Sequence, residues 1–253
     1  ATTNTYSGGD EDVGGSQFQK SVVYRIPLDQ LGHCQSLDYD YFTATDFNAR
    51  VAAATGDVGY WAYHAFGDNG AQSLRVAAWP EGGSVSLHDV AISLPADAHY
   101  GNYHCAGPDG TDMCAFSGNR LLGAYRNGDE LGFLWNEPQG GSYPYPYVAS
   151  ARIRISDWSL IAQAAIWNED YAWIYPSVSP NSNGEIGGTI AFGGGTRNPS
   201  CAAWTSSGDL DASFDAVTVI DGNAGPSDNR WGDYLTSRQN PDDPTTWNGT
   251  CFA

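Results

Sequence analysis

The chain has 253 residues, 41% of them hydrophobic, and carries 29 acidic against 11 basic side chains for a net charge of −18. That imbalance repels phosphate backbones and anionic lipid headgroups, which excludes nucleic acids and anionic membrane surfaces as partners. No apolar run approaches the ~20 residues that span a bilayer, so membrane insertion is not expected. Glycine (31), tyrosine (15) and tryptophan (9) are abundant beside a single methionine, a composition that predicts an all-β protein of pleated aromatic strands and tight turns.

Residues 1–20 are polar and glycine-rich and read as a flexible lead-in to a single domain over 21–253. Ser21–Ile26 and Leu37–Phe42 read as strands. The next section is the clearest. Strands are expected at Arg50–Ala54, Val58–His64, Ser73–Trp79 and Val85–Leu94, with turns at Thr55-Gly56-Asp57 and Pro80–Gly83. Four strands in ~45 residues is the length of one β-propeller blade. A second set is expected at Met113–Phe116, Arg120–Arg126, Leu131–Trp135 and Ala151–Ile155, with an insertion between Asn136 and Val148. A third covers Ser177–Ser179, Ile186–Phe192, Cys201–Trp204 and Phe214–Ile220. Arg230–Phe252 opens a fourth of about two strands. The expected fold is a β-propeller of four-stranded antiparallel blades, either a compact ring of about five blades or part of a seven-bladed ring contributed by a longer or multi-chain protein.

Five cysteines leave one over. Cys105 and Cys114 enclose eight residues and are expected to pair, Cys201 and Cys251 to close the last region, and Cys34 to remain free. With the glycosylation acceptor Asn248-Gly249-Thr250, this predicts an oxidising, secreted location.

Candidate chemistry gathers in four places. His99, Tyr103 and His104 sit in one loop and, with Arg126, offer a general base, a tyrosine partner and a carboxylate binder. Tyr143, Tyr145 and Tyr147 alternate with prolines in a stiff aromatic insertion suited to stacking on sugar faces; Trp231 is a further ligand-binding candidate. Asp221, Asn223, Asp228 and Asp233 place oxygen donors in a glycine-bearing loop, a pattern that suits Ca²⁺. Arg120, Arg152 and Arg154 are additional candidate carboxylate binders. Gly193-Gly194-Gly195 lacks the lysine of a phosphate loop and reads as a turn.

Three stretches resemble the secreted propellers of the sialidase-like superfamily: Gly59–Tyr63, Ile174–Ile186, and Arg230-Trp231-Gly232-Asp233-Tyr234 with Asp242, Asp243 and Trp247. The resemblance implies a propeller and an extracellular setting. Ser179–Gly184 matches the superfamily's Asp box only in part, with Asn181 in the aspartate's place. No arginine set matches the sialidase pattern by motif, so that activity is not carried over. Two functional expectations follow: a module binding glycans or protein partners, with self-association or a further chain completing an assembly; or a carbohydrate-active hydrolase or lyase with a His/Tyr/Arg site at the propeller axis.

Overall fold

Apolar residues alternate along Val58–Phe66, and both sets are buried: Tyr60 and Ala62 pack to one side, Trp61 and Tyr63 to the other. A strand covered on both faces belongs between two other layers. Sheet stacked on sheet in chain order is the plan of this molecule. A computed structural model describes residues 1–7, 17–66, 72–93, 103–227, 231–232 and 235–253.

The first sheet contains β1 (Thr2–Ser7), β2 (Gln17–Arg25) and β3 (Asp40–Ala44), with a short helix α1 (Leu28–Gly32) between the last two. The second runs β4 (Arg50–Val51), β5 (Val58–Phe66), β6 (Gln72–Pro80), β7 (Ser86–Ala91). The third runs β8 (Leu121–Asn127), β9 (Glu130–Glu137), β10 (Tyr147–Arg154), β11 (Leu160–Ile166). In the fourth, β12 (Ala172–Ile174) and β13 (Ser179–Pro180) both pair with β14 (Ile186–Gly194), which is followed by β15 (Arg197–Ser206), a short helix α2 (Leu210–Ser213) and β16 (Asp215–Ile220). The fifth holds β17 (Thr236–Gln239) and β18 (Trp247–Thr250). The described ladders between these strands are antiparallel, so the protein is all-β as its composition predicts.

Each sheet packs on the next. Val23 and Ala44 meet Trp61, Tyr63 and Trp79 between the first and second sheets. Tyr60, Ala62, Leu74 and Val76 meet Leu131, Phe133, Trp135 and Ile153 between the second and third. Leu134 and Val148 meet Ile186, Ile190, Phe192 and Trp204 between the third and fourth. The fifth is fastened by polar bonds: Trp247 Nε1 donates to the Ser179 carbonyl at 2.8 Å, and the Thr189 hydroxyl donates to the Thr250 carbonyl at 3.3 Å. Successive sheets also touch through β4 on β8, β8 on β13 and β13 on β17.

Both expected disulfides are closed. Cys105–Cys114 forms a small loop, and Cys201–Cys251 ties β15 to the residue just past β18. Cys34 is a free, exposed thiol. Two disulfides fit an oxidising environment. Among the described residues no helix is long and apolar enough to cross a membrane.

Two expectations are corrected. Thr2–Ser7, read as part of a lead-in, is an edge strand that pairs with β2; its threonines are β-branched and suit that role. Met113–Phe116 is not a strand. Cys114 is held by its disulfide, and its amide donates to Asp112 Oδ1 at 2.9 Å, so the segment turns. The strand that completes the third sheet is instead Leu160–Ile166, beyond the region expected to hold it. The partial Asp-box match is a working turn. Asn181 Oδ1 accepts from the amides of Asn183 and Glu185, each at 3.0 Å, which sets the β13–β14 hairpin.

Candidate ligand-binding site

Two arginines stand where the first strands of the second and third sheets begin. Arg50 opens β4, and Arg120 immediately precedes β8. Both line a cavity of about 240 Å³ where four sheets converge, together with Asn136 from the end of β9, Tyr175 from the β12–β13 connection, and Trp231 and Leu235 from the approach to β17. This volume lies just under the ~300 Å³ lower end of drug-sized sites.

Asn136 is fully buried and organises the wall. Its Nδ2 donates to Ser117 Oγ at 2.8 Å, its Oδ1 accepts from the Tyr175 amide at 2.9 Å, and its carbonyl accepts from the Tyr103 hydroxyl at 3.3 Å. Three separate segments are thereby joined to β9. Trp231 is 9% exposed and packs against Tyr175 and Phe252. Gly232 follows it at φ +97°, and a Cβ there would run into the Tyr175 ring. The glycine of the Trp-Gly-Asp-Tyr run is therefore required by the close approach of backbone to ring. Gly232→Ala is expected to open this wall and to cost more than 1 kcal/mol from the φ alone; a thermal melt with no shift in midpoint would contradict that reading.

The charge in this cavity is opposite to that of the protein as a whole. Arg50 is half-buried, and burial, reinforced by the nearby Arg238, pulls its guanidinium below its ordinary pKa. Arg120 lies over the Phe47 ring at 5.6 Å, and Arg238 donates to the Ser237 carbonyl at 2.8 Å. Other described arginines are used elsewhere. Arg25, Arg75, Arg152, Arg154 and Arg197 pair with Asp40, Asp89, Glu130, Asp157 and Asp221. Among the described lining residues of the cavity there is no carboxylate.

The residues singled out from the sequence are distributed as follows. His99 lies outside the described residues. His104 is exposed, its Nδ1 2.6 Å from Asp112 Oδ2, while Asp112 Oδ1 accepts from the amides of Cys105 and Cys114; this network braces the disulfide loop. Burial, with Glu137 and Tyr147 nearby, pushes the Tyr103 phenol up in pKa. Arg126 is not gathered with them. It sits five residues along β8 from Leu121, roughly 16 Å away, donating to the carbonyls of Thr55 and Gly128.

Tyr143 and Tyr147 stack with ring centroids 3.9 Å apart, and exposed Trp167 meets Tyr143 edge-on at 5.2 Å. Tyr145 is half-buried against the cluster around Cys105 and Ile174. Asp221 and Asn223 are exposed, with Asp221 facing Arg197 at 3.5 Å; Asp228 and Asp233 lie outside the described residues. A second grouping of potential metal ligands, Cys105, Asp112 and Cys114, has its sulfurs committed to the disulfide. Asn248 is exposed on β18.

No protein-family model matches the chain, and no curated protein matches it. Among solved structures, an alpha-L-arabinofuranosidase from Lactobacillus brevis overlaps it with a TM-score of 0.39 and 13% identity, covering 79% of this chain. The chain spans 62% of that protein's length. At that level of overlap the likeness decides neither fold nor activity.

Proposed function

We propose that the protein is a secreted β-propeller whose blades are the five successive sheets, and that it acts as a binding module for the acidic end of a glycan, held in the cavity at the axis. The successive contacts of β4, β8, β13 and β17 support the ring, and the two disulfides support secretion. The observation that carries the binding reading is the pair Arg50 and Arg120. Arg50 is half-buried and Arg120 exposed, and both line one small cavity, with no carboxylate among its described lining, in a chain of net charge −18. Guanidinium groups in a partly dry site bind carboxylate or sulfate oxygens strongly, and Asn136, Tyr175 and Trp231 supply a polar and aromatic surround of the kind that fits a sugar ring.

Titration calorimetry with trigalacturonate and with a neutral xylotriose tests the reading. Trigalacturonate is expected to bind saturably, and Arg50→Gln with Arg120→Gln to weaken it by roughly 10-fold or more. Equal binding of both sugars, or no effect of the substitutions, would remove the proposal. Incubation of the same oligosaccharide followed by assay for new reducing ends tests the hydrolase or lyase alternative.

A further inference from the structure

A groove of about 1350 Å³ lies between the first and second sheets, remote from the cavity described above in its residues and opposite in its charge. Trp61 and Trp79 line its inner side. Arg25 bridges the two sheets there: its guanidinium pairs with Asp40 at 2.8 Å, donates to the Pro80 carbonyl at 3.0 Å and lies 4.3 Å over the Trp79 ring. The outer side is formed by α1 and the segment after it. That segment presents Leu28, Leu31, Leu37 and Tyr39 to solvent at 79%, 53%, 38% and 63% exposure.

Large apolar side chains this exposed on one short segment are a recognised mark of an interaction surface. Five carboxylates line the same groove: Asp29, Asp38, Asp40, Asp57 and Glu81. Its positive groups are Arg25, already paired with Asp40, and the amine of Ala1, which donates to the Tyr24 carbonyl. The groove therefore combines leucine and aromatic surface with a net negative rim.

We infer that this groove docks a basic, leucine-bearing peptide segment of a partner protein. The apolar side chains of such a segment cover Leu28, Leu31 and Leu37, and its lysines or arginines meet Asp29, Asp57 and Glu81, with exposed Tyr39 offering a ring face to a cation. Charge selects this occupant over a second copy of the chain, since two molecules of charge −18 repel each other.

The test uses the whole protein and a fluorescein-labelled twelve-residue amphipathic peptide of lysines and leucines, followed by anisotropy at physiological salt. A peptide with every leucine replaced by serine serves as its control. Saturable binding of the leucine peptide alone is expected. Asp57→Lys with Glu81→Lys should weaken it roughly 10-fold, as should Leu31→Ser with Tyr39→Ser. Asp170→Lys with Asp242→Lys changes the net charge equally but lies outside the groove, and should leave binding almost intact. Three results would overturn the inference. One is equal binding of the serine peptide; another is equal weakening by the Asp170/Asp242 pair, since both mean unspecific attraction to an acidic protein. The third is concentration-dependent self-association that Leu31→Ser with Tyr39→Ser abolishes, which would assign the groove to a second copy.

Discussion

Replacing Cys201 and Cys251 by alanine is expected to lower the unfolding free energy by about 4 kcal/mol, which in a chain of this size is a fall in thermal midpoint of roughly 8–16 °C. The two residues are 50 apart in sequence, and their bond removes that much loop-closure entropy from the unfolded chain. It also ties the two-stranded fifth sheet to the four-layer stack. Without it that sheet is held by hydrogen bonds, among them those of Trp247, Thr189, Ser237 to the Gly187 carbonyl and Asn181 to the Thr245 carbonyl, and by its contact with β13 and β14. Cys105→Ala with Cys114→Ala removes a bond spanning a separation of only 9 and should cost less, about 3 kcal/mol. Chemical denaturation of both variants checks the ordering. A larger loss from the short loop would mean that native packing around Asp112, rather than chain entropy, dominates.

The second expectation concerns pH. Glu137 is fully buried at the end of β9; its Oε1 accepts from Trp135 Nε1 at 2.5 Å, and its Oε2 has no hydrogen-bond partner among the described residues. Burial outweighs that one bond and raises its pKa from 4.5 to about 7, with the phenols of Tyr103 and Tyr147 close by. A carboxyl of raised pKa keeps its proton in the folded protein after the unfolded chain has released it. Stability therefore falls as pH rises from about 4.5 to about 7, by about 3 kcal/mol in total, and is flat with respect to this group above that window.

Glu137→Gln should abolish this slope, leaving the variant more stable than the parent at pH 8 and close to it at pH 4. Asp89 has the opposite sign. Its hydrogen bond to Arg75 depresses its pKa, so its contribution is lost only as pH drops below the ordinary carboxylate range. Parallel melting profiles for parent and variant from pH 4 to 8 would refute the assignment.

Much of the fold was legible because the central strands are covered on both faces. Val58–Phe66 and Glu130–Glu137 carry bulky apolar groups at odd and even positions alike, a signal that survives errors of register. The outer strand Leu160–Ile166 carries a weaker pattern of small residues, so it was passed over in favour of Met113–Phe116, whose apolar run serves the disulfide loop. Ala172–Ile174 is too short to stand out between prolines and tyrosines. The candidate site was less legible. Arg120 and Trp231 are visible as candidates, whereas Arg50, Asn136 and Tyr175 are not, because nothing local marks them. The signal was in the comparison of one sheet with the next: Arg50 opens β4 and Arg120 immediately precedes β8. Glu137 was hidden for a different reason, since only packing reveals that a surface-type residue is entirely enclosed.

The order of sheets along the chain has a consequence for synthesis. Each sheet is complete once its own consecutive strands have emerged, and it packs on a neighbour already made, so the protein can grow from its first residues without waiting for distant segments. The exception is the fifth sheet. Cys201 waits for Cys251, 50 residues further on, so the fifth sheet is locked to the stack only after β18 has been made and an oxidant has been met. Loss of the segment after β18 that carries Cys251 thus removes a covalent clasp.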